Sequence, residues 1–116
     1  MAGSALNGTY GVTDFAADAN SEARIFADRF EQLYKEKPDV SAAWTYDGLM
    51  VLASGINKAG STDPEKVRNA VLAIRGFKGV EGEYRFDENG DGLHGYNIVR
   101  NENGRILFDH DIEFTD

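Results

Sequence analysis

Apolar residues recur at helical spacing through the first two thirds of the chain and then alternate, so the period changes near residue 80. Ala23, Phe26, Ala27, Phe30, Leu33 and Tyr34 fall at i, i+3, i+4, i+7, i+10 and i+11, the stripe of an amphipathic helix. Asn20 or Ser21 can cap its free N–H groups. Glu31 and Lys35 form a favourable i, i+4 pair on the wet side, and Pro38 is expected to end it.

Residues 41–59 predict a second helix of a different kind. From Ala42 to Ile56 its only strongly polar side chain is Asp47, so both faces call for burial. Short strands in a chain of 116 residues can cover one face, and the other needs more protein. A third helix is punctuated by Asp63 as cap, Pro64 at the first helical position and Glu65 in the first turn. Val67, Ala70, Val71 and Ile74 are its buried stripe, and Gly76 suits the position just past its end.

Beyond residue 80 the alternation predicts strands at 81–86, 95–100 and 105–114, arranged as a three-stranded antiparallel meander. Asn103-Gly104 joins the last two, because both residues tolerate positive φ. An acidic, glycine-rich turn at 87–94 joins the first two. A short strand is expected at 9–13, after a lead-in at 1–7 read as flexible or as an expression scar. The fold class is therefore α/β, with one domain over 8–116.

Charge sharpens this picture. The net charge is −8. Residues 1–80 hold ten acids and nine bases, whereas 81–116 hold ten acids and three bases, so the excess sits in the strand-rich tail. Clustered Lys and Arg are absent, which argues against nucleic acid or an anionic membrane as partner. The absence of cysteine excludes disulfides and thiolate metal sites. The start MAGSALNGTY lacks the pattern of a signal peptide, and the stretch 42–56 is too short to insert in a membrane.

Motif matches carry little chemistry. Asp87-Glu88-Asn89-Gly90-Asp91-Gly92 begins like a calcium loop, but position 12 is Ile98 and the flanks are strands, so a tight turn is the better reading. Gly90-Asp91-Gly92-Leu93-His94-Gly95 fits G-x-G-x-x-G, yet a strand follows and the acids would repel phosphate. His94 and His110 read as surface histidines, with strand alternation placing His110 opposite Asp109 and Asp111. No cofactor, metal site or catalytic residue is indicated, and nothing specific supports an enzyme.

Asp47 stands apart, a lone acid in a helix built for burial, with Trp44 and Tyr46 just before it. One reading has it satisfying backbone N–H groups. The other has Tyr46 and Asp47 facing a ligand cleft, the acid receiving an ammonium group and the ring covering an apolar side chain. Gly76, Gly79 and Gly82 suit either a plain loop or a hinge.

In combination, KPDVSAAWTYDGLMVLA, GFKGVEGEYRFDENGDG and YNIVRNENG resemble the C-terminal third of periplasmic binding proteins of the branched-chain amino-acid type, which serve ABC transporters. The resemblance implies part of a type I fold in which two α/β lobes close on a small ligand. Residues 14–79 would supply helices to the first lobe and 80–116 would cross into the second. Trp44, Tyr46 and Asp47 would contribute to the ligand cleft, with Gly76, Gly79 and Gly82 at the hinge. It further implies an amino-acid ligand, an ABC permease as partner and a periplasmic or extracytoplasmic location for the parent protein. The rest of the cleft would come from segments not in this chain, so the chain alone is expected to bind weakly or not at all and to self-associate. The rival reading is a small α/β interaction domain docking a partner protein through its apolar helix face.

Overall fold

Each helix starts where the sequence supplies a cap. The computed structural model describes residues 3–113. Helix α1 (Ser21–Tyr34) is capped by Asn20, whose side chain accepts from Ala23 N at 2.7 Å. Helix α2 (Val40–Ala59) starts at Asp39, which accepts from Ala42 N at 2.9 Å. Helix α3 (Pro64–Leu72) starts at Asp63, which accepts from Lys66 N at 3.1 Å. The stop of α1 differs from expectation. Lys35 turns left-handed (φ 60°) and its N–H reaches Glu31 O, three residues before Pro38.

The strands are more numerous than the alternation predicts. They are β1 (Tyr10–Thr13), β2 (Arg75–Lys78), β3 (Glu83–Phe86), β4 (Gly92–Leu93), β5 (Tyr96–Glu102) and β6 (Arg105–Ile112). The α/β class stands, but the pairing differs from a single meander. Two antiparallel sheets form, ordered β1-β5-β6 and β2-β3-β4. β5 has β1 on one edge and β6 on the other, which leaves β3 no edge to join. β3 pairs instead with β2, a four-residue strand whose register slips between Arg75 and Phe77, with Gly76 at φ 73°. Gly76 therefore lies inside a strand and does not follow the helix, which ends at Leu72 with Ala73 as its cap.

The β5–β6 hairpin turns at Asn103 (φ 54°) and Gly104 (φ 82°), as the Asn-Gly pair predicts. Residues 3–7 of the expected lead-in carry local structure. Gly3–Leu6 form one 3-10 turn, and Asn7 Oδ1 accepts from Asn103 N at 2.9 Å, docking the turn on the hairpin. Residues 1 and 2 of the lead-in, and the expected end of the last strand at Phe114, lie outside the described residues.

Burial is one-sided. Phe15, Ala23, Ala43 and Val80 form a buried cluster, with Phe26 and Val40 packed against it, and Gly55 lets α2 close on Val67 and Val71 of α3. The other side of α2 is bare, with Leu49 65% and Leu52 46% exposed. The radius of gyration is 16.3 Å, against roughly 13 Å for a compact domain of this length. An extended shape with one naked helix face follows.

Candidate functional site

Asp47 is the most deeply buried charged residue described, at 1% exposure. Its Oδ1 accepts from Val80 N at 2.9 Å and its Oδ2 from Glu81 N at 3.0 Å. One carboxylate thereby ties the middle of α2 to the turn between β2 and β3, more than thirty residues on. This is a backbone-satisfying role, served across the fold and not within its own helix. Burial raises the Asp47 pKa, and the two N–H donors oppose that shift.

Trp44 and Tyr46 diverge. Residues two apart on a helix point about 200° from each other. Trp44 borders an open cleft of about 570 Å³ with Asp14, Glu81, Tyr84, His94 and Tyr96. Tyr46 borders an apolar groove of about 740 Å³ between α1 and α2, with its ring 4.9 Å from that of Phe26. Of the three residues expected in one cleft, Tyr46 and Asp47 border this groove together, whereas Trp44 faces the other cleft.

The cleft beside Trp44 holds a group of residues that sequence reasoning missed. Glu81 is 2% exposed; Tyr84 Oη lies 2.5 Å from its Oε2, while its Oε1 is buried without a hydrogen-bond partner. Burial pushes Glu81 up to about 7, with the nearby charges of Asp47 and Asp14 adding to the shift. Burial also raises Tyr84, with Glu81 contributing. His94 packs its ring 4.9 Å from that of Tyr84, and its Nδ1 is buried and unpartnered. Burial lowers the His94 pKa. Its imidazole is only 12% exposed, so the surface reading of His94 is corrected. Asn97 completes the junction by donating to Asp14 O at 2.6 Å and Glu81 O at 3.4 Å. The one available sequence signal was Glu81 between Val80 and Gly82, an acid where a strand was expected to begin.

The three hinge candidates sit in different conditions. Gly79 has an ordinary φ, but a Cβ there would strike the Asp47 carboxylate and come within 2.8 Å of the Tyr84 ring. Gly82 (φ 151°) passes so close to His94 that a Cβ would lie 2.7 Å from its carbonyl oxygen. Gly76 is the bulged position of β2. Close approach is what requires glycine at Gly79 and Gly82.

The acidic turn closes on itself. Asp87 Oδ1 accepts from Asn89 N and Asp91 N, both at 2.9 Å, and these bonds, that from Asp91 first, lower its pKa. His110 differs from expectation, since its Nδ1 lies 2.8 Å from Asp109 Oδ2 despite strand alternation. Both residues are on the exposed outer strand, where adjacent side chains can fold over the edge. Among the described residues no helix is long and apolar enough to cross a membrane, and no cluster of His, Asp and Glu could hold a metal ion.

Comparison with known proteins places this architecture. The profile of the periplasmic binding protein family matches residues 1–105. The leucine-, isoleucine-, valine-, threonine- and alanine-binding protein of Pseudomonas aeruginosa is 32% identical over 91 residues, covering 78% of this chain and 24% of the relative. The Leu/Ile/Val-binding protein homolog 1 of Brucella abortus is 34% identical over 110 residues, 90% of this chain and 28% of the relative. The crystal structure of a leucine-binding protein from Thermotoga maritima superposes with a TM-score of 0.76 at 32% identity, over 96% of this chain and 32% of that one. The chain spans about a quarter to a third of these relatives' length. Its α/β architecture, three helices with antiparallel strands, is part of a type I binding-protein fold. By profile, sequence and fold together, the chain belongs to the periplasmic binding protein family.

Proposed function

We propose that this chain is the C-terminal part of an extracytoplasmic binding protein that captures a branched-chain-like amino acid by lobe closure and hands it to an ABC permease, performing no chemistry itself. The observation that carries this reading is the bare face of α2 beside an antiparallel strand pair leading away from the helices. Leu49, Leu52 and Met50 are all at least 41% exposed on the side of α2 away from the buried Asp47, Val51 and Gly55. The relatives, three to four times as long, have additional chain to cover such a face. β1 and β5 run antiparallel beside each other, as strands that leave a lobe and return to it must.

In this reading Trp44 presents its ring to the cleft beside Glu81 and Tyr46 to the α1–α2 groove, while Asp47 positions the turn that carries Glu81. Gly76, Gly79 and Gly82 flank the passage between lobes. The chain alone has one wall of a binding site and therefore binds amino acids weakly or not at all. Its exposed apolar surface drives pairing with a second copy.

The test is an NMR titration of the labelled chain with leucine, valine and phenylalanine, alongside sedimentation velocity. The reading expects no saturable shift below roughly millimolar ligand, about 4 kcal/mol of binding free energy, and a dimer or larger species. Micromolar binding by a strictly monomeric, cooperatively folded chain would overturn it.

A further inference from the structure

We propose that Glu81 is a built-in proton site, a sealed carboxyl group that fastens the junction between the two sheets when protonated and loosens it when ionised. This goes beyond the amino-acid-binding reading and does not depend on it.

The geometry is specific. Glu81 begins the turn that enters β3, and its backbone is held from three directions. Its N–H donates to Asp47 of α2, its carbonyl accepts from Asn97 of β5, and the adjacent Gly82 O accepts from Gly79 N at 2.8 Å. The side chain points inward to the junction and finds one partner, the Tyr84 hydroxyl of β3. Its second oxygen has none and is shielded from solvent. An ionised carboxylate so placed has a single hydrogen bond where water would give it several.

The charges around it make ionisation harder still. Asp47 faces it from α2 and Asp14 from the end of β1, and both repel a negative charge. His94, ahead of β5, is the basic group that borders the Trp44 cleft with Glu81 among the described residues, and burial favours its neutral form. Arg85 of β3 lines one cleft together with Glu81, as do Glu83, Asp111 and Glu113. A proton on Glu81 removes the repulsion and the desolvation cost together, which is why its pKa rises to about 7.

The sign follows. A carboxyl group bound to its proton more tightly in the folded state than in the unfolded one stabilises the fold below its unfolded pKa of 4.5. That contribution is lost as pH rises from there through about 7. The junction is therefore tighter in mildly acidic solution than in alkaline solution.

Carbon-detected NMR of the full chain, following the Glu81 carboxyl carbon from about pH 4 to about pH 9, tests this directly. The expected midpoint is near 7, with amides of Val80, Gly82, Tyr84 and Gly95 shifting in step. Tyr84→Phe removes the bond that favours the ionised form and moves the midpoint upward. Glu81→Gln makes the denaturation midpoint much less dependent on pH between 5 and 8. A Glu81 midpoint in the ordinary range of 4 to 5, or one that Tyr84→Phe leaves in place, overturns the proposal.

Discussion

The Asp47 carboxylate occupies the space that a side chain at Gly79 would need. A Cβ built on Gly79 would overlap Asp47 Oδ2 and lie 2.8 Å from Cγ of the same group. The glycine and the acid thus form one device. The small residue lets the turn press onto α2, and the acid holds it there through Val80 and Glu81 N–H.

Replacing either member breaks the device. Asp47→Ala leaves two buried N–H groups unsatisfied, at about 1–3 kcal/mol each, so a loss of roughly 2–6 kcal/mol is expected. Gly79→Ala pushes a methyl group into the carboxylate and the Tyr84 ring, costing about 1–3 kcal/mol as overpacking. Urea denaturation of both variants measures this. A loss below about 0.5 kcal/mol for Asp47→Ala, the size of an ordinary surface change, would show that the two bonds do not hold the turn.

The contact between α2 and α3 depends on a second glycine. A Cβ at Gly55 would run into Cγ2 of Val71 and lie 3.6 Å from Cγ1 of Val67. Gly55→Ala should lower stability by about 1–3 kcal/mol despite its better helix propensity. The double change Gly55→Ala with Val71→Ala should recover part of that loss, because the obstructing methyl is removed. Thermal unfolding of the two variants compares them.

On the acid side the exposed turn at Asp87 sets the response. Backbone donors from its own loop hold the Asp87 carboxyl below its usual 3.8, so its stabilisation is present above that pH and is lost as pH falls below it. Asp87→Asn should lower the denaturation midpoint above about pH 5 and flatten the low-pH decline. Denaturation midpoints across the acid range distinguish the two.

Self-association should follow the bare face of α2. Leu49 is 65% exposed and Met50 41%, and both line the groove closed on its other side by Phe26, Phe30 and Leu33 of α1. The double change Leu49→Lys and Met50→Lys should leave the helix intact and shift the chain toward monomer in sedimentation velocity. An unchanged oligomer would place the contact elsewhere.

The helices were legible in the sequence because local chemistry fixes them. Asn20 and Asp63 act as the caps their positions suggested, and the stripe from Ala23 to Tyr34 gives one amphipathic helix. The hairpin at Asn103-Gly104 was legible for the same reason. The strand Arg75–Lys78 was not, because four residues with a bulged glycine carry no alternation to read. Without β2 the partner of β3 could not be found, and a meander was the natural expectation. Asp47 was singled out as anomalous, yet its partners lie 33 and 34 residues away, beyond any local signal. Glu81 and Tyr84 escaped notice, and His94 read as a surface histidine, because each looks like an ordinary strand or turn residue until the fold seals them together.

The most direct test of the account is to graft this chain in place of the corresponding third of the Thermotoga maritima leucine-binding protein and measure leucine, isoleucine and valine binding by calorimetry. A folded chimera that binds at least one of them saturably is expected, with affinity weakened by Trp44→Ala or Tyr46→Ala. A folded chimera that binds none of the three would contradict it.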